Sequence, residues 1–417
     1  MNKINEVLKY ILTTEYVDSH TIMYSNRLPF NLSAYEHNQL KIAKSKNLKE
    51  KDSFFSEIKL KSFNGHPLFY CSKCADFRSL VLTYTNTFLT DVKKTKSSMV
   101  IRNMPDIIKS RIYSEINGTL SIEAVSTSRK RISELINGKR KPTETNDVII
   151  QNMARGLDFI MSTPEFNKEN LFHLYHLLSE GCLEPDYQLK PGEYYRYDEV
   201  EVDRYSGCPH EKIEECMDSL FSYVNETLSS KNIMEKFLLP HIVHYYIMYI
   251  HPYFDYNGRT ARMVSFWLLN LEHSFTAPIA SEAIDQTKEK YYSAIRNTRD
   301  EDNDLTYFLI YILKITISYY NCYLNLEEID SNLKNKDIVL TEIEKAYIKK
   351  IIISAKGKFI YSDFVKWIKT DMTKQGAFKL LNTLTSYGIL SVSESKSKNK
   401  LFELNKDILL YRMDLLD

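Results

Sequence analysis

Apolar residues recur at three- and four-residue spacing along most of this chain, and one stretch of alternation interrupts them. The spacing predicts helices over Asp147 to Met161, Asn170 to Glu180, His210 to Ser229 and Lys231 to Ile250. Before them lie amphipathic stretches separated by breaks such as Asn64-Gly65-His66-Pro67, with helices expected over Leu80 to Val92 and Val100 to Ile116. The alternating stretch, Gly192 to Val202, is aromatic and β-branched and reads as extended. Two apolar helical segments, Phe237 to Ile250 and Met263 to Leu271, flank a polar loop between them. Further on, Tyr291 and Tyr292 fall on a helix, and Asp304 is placed to cap the next one.

After the polar stretch Asn332 to Asp337 the pattern changes. Helices are expected over Thr341 to Ser354, Tyr361 to Thr370 and Met372 to Tyr387. Strands are expected over Ile389 to Ser393 and Lys400 to Glu403, joined by a polar turn, Glu394 to Asn399. Three helices and a two-stranded ribbon make a winged helix-turn-helix. Residues 335–417 carry 15 Lys and Arg against 10 Asp and Glu. Such a module can read DNA, with Lys374 and Lys379 facing phosphates, or it can dock a partner or make a homodimer. The third helix has few basic residues and no arginine, which favours docking.

Length and composition then set bounds. A chain of 417 residues with 43% hydrophobic residues can bury its own core in two or three domains. The net charge of +1 says nothing about partners. No apolar run approaches the roughly 18 residues needed to span a bilayer, and the first residues lack the apolar core of a signal peptide, so a cytoplasmic location without membrane contact is expected. The six cysteines are widely spaced and suggest no disulfide framework. Cys71 and Cys74 form a lone C-x-x-C; with only His66 nearby in sequence, a zinc site lacks ligands and ordinary thiols are expected.

The chemistry concentrates in the polar loop, His251-Pro252-Tyr253-Phe254-Asp255-Tyr256-Asn257-Gly258-Arg259-Thr260-Ala261-Arg262. A helix starting near Asn257 presents free N–H groups and the positive end of its dipole, which favour anions. Asn257 and Gly258 suit a tight backbone there. Arg259 and Arg262, three apart, share a helix face and make a phosphate clamp. Asp255 can hold Mg²⁺ against that phosphate, and His251 can take a proton from an attacking hydroxyl. One chemistry, phosphate-ester transfer, uses all of these groups.

The loop resembles the signature of the Fic (Fic/Doc) family, H-P-F-x-D/E-G-N-G-R-x-x-R. His251, Pro252, Asp255, Asn257, Gly258, Arg259 and Arg262 match it. Tyr253 replaces Phe, and Tyr256 stands where Gly is usual; its ring is expected to point toward solvent or the flap. The resemblance implies a mainly α fold with a Fic-type helical core at 111–330. Its Gly192 to Val202 hairpin would be the flap, which aligns a target segment by strand addition through residues such as Tyr197, Val200 and Val202. A helical region, 1–110, would precede the core and the winged helix, 335–417, would follow it. The implied activity is protein adenylylation: AMP moves from ATP, with Mg²⁺, to a Ser, Thr or Tyr hydroxyl of a target protein, the chain itself included. Tyr291 and Tyr292 would lie near the adenine.

The resemblance extends upstream. Thr119-Leu120-Ser121-Ile122-Glu123-Ala124 is similar to the family's inhibitory motif, S/T-x-x-x-E-G/N, with Ala124 departing from it. Glu123 on a neighbouring helix would pair with Arg262 and withhold that guanidinium from the γ-phosphate. Other readings stay open: another donor such as UTP or GTP, removal of AMP, or a winged-helix DNA-binding regulator whose Fic core senses nucleotide.

Overall fold

The computed structural model describes residues 2–24, 28, 30–89, 106–273, 280–355, 357–368, 372–394, 400–405, 407 and 409. The fold is mainly α, with seventeen helices and a few small sheets among those residues. The chain divides into two compact units, 1–313 and 314–417.

In the first unit, α1 (Asn2–Thr13), α2 (Ser19–Tyr24) and α3 (Ala34–Leu48) come first. Helix α3 starts at a capping box: the Ser33 side chain accepts from the Glu36 N–H, and Glu36 answers the Ser33 N–H. A short hairpin, β1 (Ser56–Glu57) and β2 (Phe69–Tyr70), leads to α4 (Ala75–Leu89). The turn between β2 and α4 brings the Cα atoms of Cys71 and Cys74 to 5.7 Å, and the two are joined as a disulfide, not held as ordinary thiols. Then follow α5 (Asp106–Ile122), α6 (Arg129–Ile136), α7 (Thr145–Ser162) and α8 (Lys168–Ser179). The second hairpin, β3 (Glu201–Val202) with β4 (Tyr205–Ser206), precedes α9 (His210–Ser229).

Helix α10 (Ile233–Ile250) is apolar on every side and almost wholly buried, as such a sequence requires. It packs along α11 (Asn257–His273). Helices α12 (Ala280–Gln286), α13 (Lys288–Asp300) and the start of α14 (Thr306–Lys334) complete this unit. Asp304 lies one residue ahead of the cap position, Leu305: its carboxylate accepts from the Thr306 N–H at 3.1 Å and belongs to a buried charge cluster. Lys44, 1% exposed, reaches Glu301 at 3.3 Å and Asp304 at 3.1 Å, with the Tyr307 hydroxyl at 2.9 Å. Each buried charge there is paired and hydrogen-bonded, the condition for burying it at all.

The second unit closes its own core around Ile348, Ile351, Phe364, Leu381, Leu384 and Phe402. After α14 come α15 (Glu342–Ser354), β5 (Phe359–Ile360), α16 (Tyr361–Ile368), α17 (Lys374–Ser386), β6 (Leu390–Glu394) and β7 (Lys400–Leu404). The sheet has three antiparallel strands in the order β5-β7-β6, not two. Strand β5 has two residues, too few to show a period. The expected turn at 395–399 lies outside the described residues, as do parts of the helices expected over Leu80 to Val92, Val100 to Ile116 and Tyr361 to Thr370.

Candidate active site

Helix α10 ends at His251, whose backbone turns into the left-handed region (φ 57°, ψ 61°) while its N–H still bonds Ile247 at 2.9 Å. That conformation costs a non-glycine residue about 1–3 kcal/mol and needs outside support. Arg196 supplies it. This residue, 2% exposed, donates Nε to the His251 carbonyl at 2.8 Å and its backbone N–H to the Pro252 carbonyl at 2.9 Å. Its remaining N–H groups bond the carbonyls of Asp198 and Cys208. One buried guanidinium thus ties the segment before β3, the segment after β4 and the loop after α10 together. Gly207 allows the approach, since a Cβ there would come within 2.9 Å of Arg196 Nη2. We expect Arg196→Ala to cost about 3 kcal/mol or more, read as a shift in denaturant midpoint, because several buried carbonyls lose a charged donor. A midpoint within error of wild type would contradict this role.

The segment expected to be extended, 192–202, is therefore largely irregular. Its Asp198 carbonyl accepts from Arg196, and its strand pairing is confined to Glu201↔Ser206 and Val202↔Tyr205. Tyr197 packs edge-on against Phe254 of the loop at 5.1 Å, and the Val200 carbonyl accepts from Gly207 at 2.9 Å. Val202 lies in β3. The hairpin is held at its far side by α13: Arg204 and Tyr205 bond Asp300, and the Arg299 guanidinium lies 4.7 Å from the Tyr205 ring.

Within the loop, Asn257 acts as a staple. Its side chain accepts from the Tyr253 N–H at 3.0 Å and donates to the Tyr253 carbonyl at 2.7 Å. The Tyr253 ring is fully buried and stacks on Tyr175 at 3.7 Å. Asp255 keeps a half-exposed carboxylate, 3.8 Å from Arg259 Nη2.

Tyr256 does not point outward. Its backbone has φ 67°, its side chain is 3% exposed, and the Arg259 guanidinium lies 3.4 Å above its ring. A flat cation over an aromatic face is favourable, so the ring turns inward to meet Arg259.

Helix α11 begins at Asn257, with Gly258 in its first turn. A Cβ on Gly258 would lie 2.9 Å from Glu123 Oε1 and 3.2 Å from Arg262 Nη1. Glu123 thus sits against the opening turn of α11, where an anion is favoured. It is not itself helical: it follows the last residue of α5, in the turn leading to Ala124 at φ 60°. Arg262, 3% exposed, donates to Glu123 Oε1 at 2.6 Å and to Thr119 Oγ1 at 2.8 Å. Burial alone would raise the Glu123 carboxyl, but Arg262, helped by Arg259 and Lys288, holds it below its ordinary range. Tyr291 is fully buried, its hydroxyl 2.9 Å from His244 Nε2, and belongs to the wall behind Arg262 rather than to an open surface. Tyr292 is half-buried near Glu123 and Arg262.

The His251 ring is depressed to about 4, first by burial and then by the Arg196 cation; Arg299 lowers it further and Glu123 opposes them. At neutral pH it is an uncharged imidazole able to accept a proton. The structure thus brings His251, Asp255, Asn257, Gly258, Arg259, Arg262 and Glu123 into one site. Sequence reasoning missed Arg196, Arg299 and Lys288, most of whose partners lie far away in the chain and which no short motif marks.

Residues 165–269 match the model of the Fic/DOC family. This segment is a Fic/DOC family domain. It holds α8 to α10, the hairpin and the loop, while Glu123 and Tyr291 lie outside it. The chain matches no curated protein. Among solved structures it is similar to a Fic family protein from Desulfovibrio desulfuricans G20 (16% identity, 79% of this chain and 96% of that one, TM-score 0.49). It is also similar to Fic-1 of C. elegans (17% identity, 60% of this chain and 72% of that one, TM-score 0.48). A third is a Fic domain containing signaling protein from Bacteroides thetaiotaomicron (16%, 60% and 96%, TM-score 0.45). Members of the Fic/DOC family usually transfer AMP or other nucleotide moieties to proteins. No helix among the described residues is long and apolar enough to cross a membrane.

Proposed function

We propose that this protein is an adenylyltransferase that moves AMP from ATP to a hydroxyl side chain of a target protein and is restrained by Glu123. One observation carries the reading: a buried arginine, Arg262, is paired at 2.6 Å with a carboxylate lying against the first turn of a helix, beside a neutral histidine. That place suits a phosphate, and Glu123 occupies it in part.

The target oxygen attacks the α-phosphorus, the bond from that phosphorus to the β-phosphate oxygen breaks, and pyrophosphate leaves. His251 takes the hydroxyl proton. The first N–H groups of α11 and the Arg259 guanidinium stabilise the charge that develops on the leaving group. Arg262, freed from Glu123, holds the γ-phosphate. The hairpin 201–206 aligns the target backbone. Asp255, with its half-exposed carboxylate, fits a divalent cation, which would neutralise phosphate charge. Intact-mass spectrometry after incubation with ATP and Mg²⁺ tests the reading. A gain of one adenylyl group on a Ser, Thr or Tyr supports it; a gain of phosphate alone overturns it.

The stack of Arg259 on Tyr256 favours a second restraint, in keeping with a core that senses nucleotide more often than it turns over. A desolvated cation–π contact is worth about 1–2 kcal/mol. In a Glu123→Gly background, Tyr256→Gly is then expected to raise labelling on the order of 10-fold, because Arg259 is freed and the positive φ suits glycine. A fall in labelling at equal folded concentration would show that the ring serves the active site.

A further inference from the structure

We propose that the exposed face of α17, with the start of β7, is a docking surface for duplex DNA. The inference does not depend on nucleotidyl transfer, because every residue it uses lies in the second unit. There α16 and α17 form a helix-turn-helix pair backed by the sheet β5-β7-β6, the arrangement in which the second helix is presented to a groove.

Helix α17 divides cleanly. Ala377, Leu380, Leu381 and Leu384 are buried in the core of the unit. Lys374, Gln375, Phe378, Lys379 and Asn382 are exposed on the opposite face. The helix holds no Asp or Glu, so none of its own side chains repels a phosphate backbone. The two lysines suit phosphates. Gln375 and Asn382 carry the amide group that pairs with an adenine edge, and Phe378 offers an apolar contact for a thymine methyl. Phe378 is 44% exposed, with its ring edge-on to Tyr361 at 6.2 Å, and Lys400 of β7 lies 5.5 Å from its centroid, adding a third cation beside the helix. Charge along the chain agrees: 335–417 has 15 Lys and Arg against 10 Asp and Glu, while the whole chain is only +1, leaving the remainder slightly acidic. The sequence alone favours docking to protein because basic residues are few. The structure adds that the two lysines of α17 share the exposed face with the amides and the ring.

The test is fluorescence anisotropy of a labelled mixed-sequence duplex with the full chain over a salt series, for wild type, Lys374→Ala/Lys379→Ala and Lys379→Glu. Binding that weakens linearly in log[salt] is expected, with the slope reduced by about 0.9 for each lysine removed and the greatest loss for the charge reversal. Circular dichroism confirms equal folding. Absence of salt-dependent binding by the wild type overturns the proposal, as does a slope the double variant leaves unchanged. Self-association abolished by Phe378→Ser, with no DNA binding, overturns it in favour of a dimer face.

Discussion

Glu123→Gly is expected to raise self-labelling with α-labelled ATP on the order of 10²-fold, the size of a shift of about 3 kcal/mol. Most substitutions at partly buried charged positions lower activity, because they destabilise. Here the removed carboxylate is the partner of Arg262 and lies against Gly258 at the opening of α11. Its loss releases the guanidinium for the γ-phosphate and clears the helix start. Thr119 still bonds Arg262 Nε at 2.8 Å, so the freed side chain stays in place. Arg262→Ala added to Glu123→Gly is expected to abolish the gain. The restraint should also persist throughout the neutral range: Arg262 holds the Glu123 carboxyl below its ordinary value, so the pair is complete above that value and is lost only as pH falls through the lowered one. Equal or weaker labelling of the single variant, at equal folded concentration, would remove Glu123 from regulation.

The second large effect is at His251. In the Glu123→Gly background, His251→Ala is expected to lower transfer by roughly 10²–10⁴-fold while ATP binding persists, since the phosphate groups are held by other residues. The pH profile carries a more specific signature. Burial and the Arg196 cation depress the ring to about 4 from 6.5, so the basic form is already complete well below neutrality. The acid limb of kcat/KM, which reports the free enzyme, should therefore fall near pH 4. A limb near 6.5 would mean that the ring is solvated and not held as described.

Much of this site is legible in sequence because its parts are local. From His251 to Arg262 one loop and one helix start supply base, carboxylate, anion-binding N–H groups and two guanidiniums, and the fold needs only to keep that order. The helices are legible for the same reason: α9 runs from His210 to Ser229 as its period predicts. Most of what escaped depends on distant partners. Arg196 looks like any charged residue in an aromatic stretch until the Asp198, Cys208 and His251 carbonyls converge on it. Lys44 meets Glu301 and Asp304 from the far end of the unit, which no spacing rule anticipates. The ring of Tyr256 turns inward because Arg259, three residues on, offers it a cationic face, a choice decided by packing rather than by residue type. Strand β5 and the hairpin strands have two residues each, so alternation cannot show them.

The fate of the transferred phosphorus distinguishes nucleotidyl transfer at this loop from any other use of ATP. Wild type, Glu123→Gly and Glu123→Gly/His251→Ala are incubated with Mg²⁺ and ATP labelled at the α- or the γ-phosphate, with and without a lysate as a source of targets. Alpha label on protein is expected, strongest with Glu123→Gly and lost with the double variant, with γ label released as pyrophosphate. Gamma label on protein, or α label that survives loss of His251, would contradict nucleotidyl transfer at this loop.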